Sequence, residues 1–132
     1  MINQREPEIR NESLELVVEA YRIVNLLPPH VDQKIKNQLL DDSFHVSSGV
    51  AEAFRTAQNI QSEQDLDRIL CKLLGIKDLI LLLEKNYGFV NDETDLFMNV
   101  LEQLHVELVE LLAGIKLINT DLFTPKLDSA CI

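Results

Sequence analysis

The segment 66–83, LDRILCKLLGIKDLILLL, decides the fold of this chain. Its apolar residues recur every three or four positions, which is the period of one face of an α-helix. Between Leu79 and Leu83 the segment is apolar on more than one side, so we expect this part to be packed between neighbours or to form a subunit contact. The predicted inward positions are Leu66, Ile69, Leu70, Leu73, Leu74, Ile76, Ile80 and Leu83.

Local signals predict where this third helix begins and ends. Ser62 followed by Asp65 is typical of a capping box, and an acid near the start of a helix is favoured by the helix dipole. Gly88 is placed to end the helix in a left-handed conformation. We therefore predict a helix over 62–86, preceded by a break over 56–61.

Three further amphipathic segments predict helices over 12–27, 31–57 and 91–118. Asn11 or Ser13 would cap the first helix, and Pro28 with Pro29 would end it because proline disfavours helix at the residue before it. Asn91 or Asp92 would open the fourth. The predicted inward residues are Leu14, Val17, Val18, Tyr21 and Val24 in the first helix, Ile35, Leu39, Val46, Val50 and Ala53 or Phe54 in the second, and Leu96, Val100, Leu101, Leu104, Leu108, Leu111, Leu112, Ile115 and Ile118 in the fourth.

Four amphipathic helices with short links predict an all-α fold, an antiparallel up-down-up-down four-helix bundle. We expect a single domain over 1–119 and a loosely ordered tail over 120–132. An array of 34-residue helical repeats is the alternative, but the breaks are uneven and no motif recurs. The second helix contains three consecutive small residues, Ser47, Ser48 and Gly49. We interpret them first as a sign that another helix approaches closely, and only second as a binding site.

The composition disfavours several classes of function. The chain has 132 residues, 22 acidic and 12 basic, and a formal net charge of −10. Its basic residues are scattered, whereas nucleic-acid binders gather them into a stripe. Aromatic residues make up 5% and Trp is absent, which disfavours base-stacking surfaces.

The same composition bears on location and on redox chemistry. The polar N-terminus is unlike a signal peptide, and the longest apolar run, over 79–83, is too short for a membrane span. We therefore expect a cytoplasmic protein with no membrane partner. Cys71 and Cys131 predict neither a disulfide framework nor a metal site. Cys71 is interpreted as a small core residue and Cys131 as an inert residue near the C-terminus.

Catalysis needs convergent groups with tuned pKa values, and the sequence shows no such set. We predict no catalytic, cofactor-binding or metal-ligating residues and no cofactor. The alternative is a dimetal site in the bundle core. Such a site typically has a Glu-x-x-His pair on one helix that faces a second set of ligands on another helix. Its candidates are Glu102 and His105 in the fourth helix, with Asp41, Asp42 and His45 in the second.

Other polar groups favour structural roles. Glu52 is interpreted as a partner of Arg55 or of a neighbouring chain's arginine, and His30 as an exposed loop residue. The fourth helix carries an acidic side that is either a solvated face or a docking surface for a basic protein. It consists of Asp92, Glu93, Asp95, Glu102, Glu107 and Glu110, relieved only by Lys116.

Several short stretches resemble the ribosomal-RNA intervening-sequence proteins, a family of four-helix bundles. The resemblance extends from about Leu16 to Ile118. It implies the bundle fold and a ring-like homo-oligomer, often a pentamer. The matching stretches are Tyr21-Arg22-Ile23 through Leu27-Pro28; Ile35, Leu39, Phe44, Val46 and Val50 to Arg55; Ser62, Leu74-Gly75 and Tyr87-Gly88-Phe89; and Leu112-Ala113-Gly114-Ile115.

The departures from the family pattern concern nucleic-acid contact. Where the family has a basic pair in the second helix, this chain has Leu40-Asp41 followed by Asp42. The Lys-rich start of the family's third helix is replaced here by Glu63-Gln64-Asp65. Ser47, Gly49 and Ala53 replace three residues of the phrase that closes the family's second helix.

The function predicted from the sequence is a non-enzymatic, homo-oligomeric interaction or scaffold protein with an acidic surface. Its expected partners are other copies of the chain, a pentamer by resemblance, and a basic protein. The first alternative is a nucleic-acid accessory protein of the same family. The second is an enzyme that holds a metal in the bundle core.

Overall fold

The computed structural model describes the backbone of residues 2–55, 60–88 and 91–120, and the side chains of 6–55, 63–88 and 92–117. It contains four helices: α1 (Ile2–Leu26), α2 (Gln33–Arg55), α3 (Ile60–Tyr87) and α4 (Asn91–Thr120). The described residues form no strand. The all-α prediction is therefore confirmed. Thr120, predicted to belong to the tail over 120–132, is the last residue of α4, whereas the rest of that tail and most of the break over 56–61 lie outside the described residues.

The first helix begins ten residues earlier than expected. It starts at Ile2 and includes Pro7 in its second turn. Because proline has no backbone N–H, this position lacks the hydrogen bond to the carbonyl four residues earlier. The predicted caps are wrong, because both residues lie inside the helix. Ser13 is buried, and its hydroxyl donates a 2.8 Å hydrogen bond to the Arg10 carbonyl. Asn11 is exposed.

The other helix ends follow local chemistry more closely. The prolines follow directly after the last turn of α1, and the Asp32 carboxylate accepts the Lys34 backbone N–H at 2.9 Å, which caps α2. Gly88 has a φ of 65°, so the predicted left-handed end of α3 is confirmed. Ser62 lies inside α3, since that helix begins at Ile60 rather than at the predicted capping box.

Each helix packs against two neighbours, so that α1 lies diagonally opposite α3, and α2 opposite α4, in the described part of the chain. Contacting residues on neighbouring helices run in opposite directions along the chain. These pairs are Asp42–Lys72 and Gly49–Ile69 between α2 and α3, Lys77–Glu102 and Glu84–Thr94 between α3 and α4, and Arg22–Glu93 and Glu12–Glu107 between α4 and α1. Three antiparallel pairs around the square leave α1 antiparallel to α2 as well.

The core lies along the axis of this bundle. Most of the predicted inward residues of α2, α3 and α4 are buried, which confirms their faces. Phe97, the largest fully buried side chain, is absent from the predicted set, while the predicted Leu96 is exposed. Gly49 is confirmed as a packing residue, because a Cβ there would lie 2.9 Å from Ile69 Cγ1.

Candidate functional site

Helix α1 has two apolar faces, and the structure buries the one that was not predicted. Two of the five predicted inward residues, Val17 and Val24, are half-buried, and Val24 packs against the core. The other three, Leu14, Val18 and Tyr21, are exposed, by 57%, 64% and 55%. We call these three residues the α1 stripe. The face buried in the core is the opposite one. Its apolar residues recur at spacings of three, four and seven from Ile9 to Leu27, so they form one continuous helical face. These buried residues are Ile9, Leu16, Ala20, Ile23 and Leu27.

A shallow groove of about 230 Å³ runs between α1 and α4 on this outer side. Drug-sized ligands usually occupy pockets of about 300–1,000 Å³, so the outer groove suits apolar side chains of a protein rather than a cofactor. Its apolar surface comes from both helices. The lining residues are Asn11, Leu14, Glu15, Val18 and Glu19 of α1 with Leu96 and Val100 of α4.

The outer groove carries negative charge. Glu15 lies exposed on its wall. The second wall carboxylate, Glu19, accepts a 2.7 Å hydrogen bond from Arg22 Nε. That guanidinium is shared, because its Nη2 donates to the Glu93 carbonyl oxygen at 2.8 Å. The groove therefore has two carboxylates on its α1 wall, and Glu93 of α4 lies near them, with its Oε2 3.9 Å from Arg22 Nη1.

A pair of carboxyl groups, Glu12 and Glu107, lies in the seam where α1 meets α4. Glu107 is only 5% exposed, and its Oε2 accepts a 3.0 Å hydrogen bond from Gln103 Nε2. Burial, a hydrogen bond with Glu107 and the negative charges of Glu107, Glu8 and Glu15 raise the pKa of Glu12 to about 8. The Oε1 atoms of Glu12 and Glu107 are both buried and find no donor among the described residues.

One proton held between Glu12 and Glu107 explains how these two carboxyl groups can lie side by side in a buried seam. Two ionised carboxylates can only accept hydrogen bonds, whereas one protonated carboxyl can donate to the other. The prediction that Glu107 belongs to an exposed acidic side of the fourth helix is therefore wrong, because Glu107 is a buried partner of Glu12. The exposed members of the predicted acidic side are Asp92, Asp95, Glu102 and Glu110.

A second carboxyl with a raised pKa lies between α3 and α4. Burial raises the pKa of Asp67, Lys116 opposes this shift, and the negative charge of Glu63 adds to it. Because Lys116 belongs to α4, its attraction to Asp67 is part of the α3–α4 contact.

Helix α3 also carries an exposed apolar stripe. Leu74, Leu81 and Leu82 are exposed by 45%, 42% and 36%, and we call them the α3 stripe. In the same helix Ile80 and Leu83 are fully buried. The segment over 79–83 is therefore not covered on all sides by the described part of the chain, and the predicted subunit contact stays a prediction. Leu74 was wrongly predicted to face the core.

Charges around the α3 stripe are balanced. Lys77, Asp78, Glu84 and Lys85 contribute two charges of each sign between Leu74 and the end of the helix. Lys77 Nζ lies 3.1 Å from Glu102 Oε2. The α3 stripe thus differs from the outer groove in charge although both are apolar.

The candidate metal ligands named from the sequence are exposed or contact other side chains. Glu102 forms an ion pair with Lys77, and Asp41 and His45 are exposed. Asp42 is buried, where it accepts two 2.9 Å hydrogen bonds from Gln38 Nε2 and lies 3.3 Å from Lys72 Nζ. No cluster of three or more potential metal ligands occurs in the part of the chain that the structure describes.

Other predicted residues have identified contacts. Arg55 donates a hydrogen bond to the Glu52 carboxylate, which confirms that pairing. His30 is exposed, and its ring centroid lies 5.7 Å from that of Tyr87.

The cysteine prediction needs correction. Cys71, interpreted as a core residue, is half-buried rather than buried on α3. Cys131 lies outside the described residues. The cytoplasmic location stays a prediction.

Comparison of this chain with family models, curated proteins and solved structures gives no match. The resemblance to the intervening-sequence proteins therefore stays a prediction. None of the helices, over the residues that are described, is both long enough and apolar enough to traverse a bilayer.

Proposed function

We propose that this chain is a non-enzymatic scaffold protein that associates with copies of itself through the α3 stripe. The observation that carries the proposal is the exposure of Leu74, Leu81 and Leu82 on a helix whose opposite face is fully packed in the core. Large exposed apolar surfaces commonly mark contacts between proteins, and we take these three leucines as the centre of one.

Charge supports another copy as the occupant. The whole chain has a formal net charge of −10, so two copies repel each other over most of their surface. Around the α3 stripe, Lys77 and Lys85 balance Asp78 and Glu84, and this repulsion is locally absent. The resemblance adds the expectation of a ring of five chains.

The nucleic-acid alternative is not favoured by any described surface. Phosphate contacts need clustered lysine and arginine. The outer groove is acidic and the α3 stripe is balanced, so neither offers such a cluster.

The test is the absolute mass in solution, measured by light scattering at several concentrations. We expect the parent chain to have a stable mass that is a multiple of 15.1 kDa. The double substitution Leu81→Glu/Leu82→Glu is expected to reduce it to a single chain, because charges cannot be buried unpaired at the contact.

Val18→Glu is the matched control, since it places the same charge on the exposed α1 stripe. It is expected to leave the mass unchanged. Circular dichroism of each variant checks that the helices are intact. A parent chain that is monomeric at tens of micromolar, or a control that dissociates the assembly equally well, contradicts the proposal.

A further inference from the structure

We propose that the outer groove between α1 and α4 binds a basic amphipathic helix of a different protein. The inference does not rest on the proposed self-association, because it concerns another surface and another partner. It follows from three properties of the groove: the spacing of its apolar residues, its shape and its charge.

The spacing fits a helix as the ligand. Leu14, Val18 and Tyr21 stand at i, i+4 and i+7, so they follow one line along about two turns of α1. A partner helix that presents apolar residues at the same intervals can lay them beside this line. Leu96, which is 52% exposed, and Val100 form the opposite wall.

The shape fits side chains rather than a small molecule. The groove is open and holds about 230 Å³ between two parallel walls. One or two aliphatic side chains of a partner helix would occupy such a volume, while the rest of the partner's apolar face covers the α1 stripe. The carboxyl pair Glu12 and Glu107 lies in the seam between the same two helices.

Charge selects the partner. Glu15 and Glu19 line the groove, while Arg22 is engaged by Glu19 and by the carbonyl and carboxylate of Glu93. Lysine or arginine flanking the apolar residues of a partner would complement these carboxylates.

The same charges disfavour other occupants. A second copy would bring its own carboxylates against Glu15 and Glu19, which is repulsive. Nucleic acids and anionic lipid surfaces are repelled for the same reason. A basic helix is the occupant that satisfies both the apolar and the acidic part of the groove.

The probe is a synthetic peptide of about 18 residues, or five helical turns, with leucines at helical spacing and lysines at the remaining positions. A control peptide has the same composition in an order that destroys the leucine stripe. Binding of each fluorescently labelled peptide to the full chain is measured by anisotropy at two salt concentrations.

We expect the striped peptide to bind and the scrambled peptide to bind at least about tenfold more weakly, a difference set by the apolar contact. Val18→Asp should weaken the striped peptide by about tenfold or more, because it places a charge on the apolar surface. Glu15→Gln should weaken it by a few fold and reduce the salt dependence, since it removes a flanking charge. Leu82→Asp, on the α3 stripe, is the matched control and should leave peptide binding unchanged.

Equal binding of the two peptides would overturn the proposal, because charge alone would then explain it. Equal effects of Val18→Asp and Leu82→Asp would also overturn it. If Val18→Asp instead lowers the mass of the assembly and leaves peptide binding unchanged, the groove is a contact between copies and the proposal is wrong. Both exposed-site variants are checked for unchanged thermal unfolding.

Discussion

The α1 stripe and the α3 stripe differ in arrangement and in charge. Leu14, Val18 and Tyr21 follow one line along α1, whereas Leu81 and Leu82 are neighbours in sequence and point about 100° apart around α3. Carboxylates line the groove beside the α1 stripe, whereas lysines and carboxylates both surround the α3 stripe. We therefore infer different partners for the two surfaces, and the flanking charge is the basis of each inference.

The largest expected effect is the loss of stability when a buried leucine of α1 or α3 is truncated. Leu16→Ala on α1 and Leu73→Ala on α3 remove fully buried side chains and should each lower the free energy of unfolding by about 2–5 kcal/mol. Leu14→Ala, at an exposed position, should change it by less than about 0.5 kcal/mol. Urea unfolding of the three variants measures this, and equal losses at position 14 and position 16 would contradict the assigned faces.

The next effect concerns the seam behind the outer groove. The folded chain holds a proton on Glu12 up to a pKa of about 8, whereas the unfolded chain releases it near 4.5. The folded state therefore binds more protons between these values, and the free energy of unfolding should fall as pH rises from about 4.5 to about 8.

Glu12→Gln keeps this position neutral and should remove that pH dependence. Because Glu12 is only half-buried and water screens part of its charge, we expect the variant to exceed the parent by about 1–2 kcal/mol at pH 9 and to match it near pH 5. Asp95→Asn, at an exposed carboxylate that is not among the charges acting on Glu12, serves as the control and should retain the parental slope. A parental slope in Glu12→Gln would show that the carboxyl pair holds no proton.

A smaller effect is expected behind the α3 stripe. Gly49→Ala brings a Cβ within 2.9 Å of Ile69 Cγ1, a buried side chain of α3. Overpacking costs about 1–3 kcal/mol, and the better helix propensity of alanine returns up to about 1 kcal/mol, so we expect a net loss of about 1 kcal/mol. Thermal unfolding measures it, and a more stable variant would show that Ile69 moves aside.

The smallest effect has the opposite sign. Gly75 lies on the exposed side of α3, and a Cβ there meets no atom within 4 Å. Gly75→Ala should therefore raise the free energy of unfolding by up to about 1 kcal/mol through helix propensity alone. A Gly75→Ala variant that is less stable than the parent, at unchanged mass, would show that position 75 does not have room for a Cβ.

Much of the fold was predictable because its signals are local. Apolar periodicity located all four helices, and Gly88 marked the end of α3 through its own backbone preference. The start of α1 was missed because Ile9 is an isolated apolar residue in a polar segment, and only packing shows that it belongs to the core.

The candidate site was harder to predict because it depends on neighbouring helices. Helix α1 carries two apolar rows, and the sequence does not show which row the other helices cover. The prediction favoured Leu14, Val18 and Tyr21, which the structure exposes. The burial of Glu107 was missed for a similar reason, since an acid in an acidic helix gives no local sign of a partner on α1.

The carboxyl pair has a thermodynamic consequence for the whole chain. With a pKa of about 8, Glu12 is mostly protonated at pH 7, so the folded protein carries about one negative charge fewer than its formal −10. Unfolding at this pH then releases close to one proton to the solvent. The calorimetric enthalpy of unfolding should consequently vary with the ionisation enthalpy of the buffer that takes up this proton.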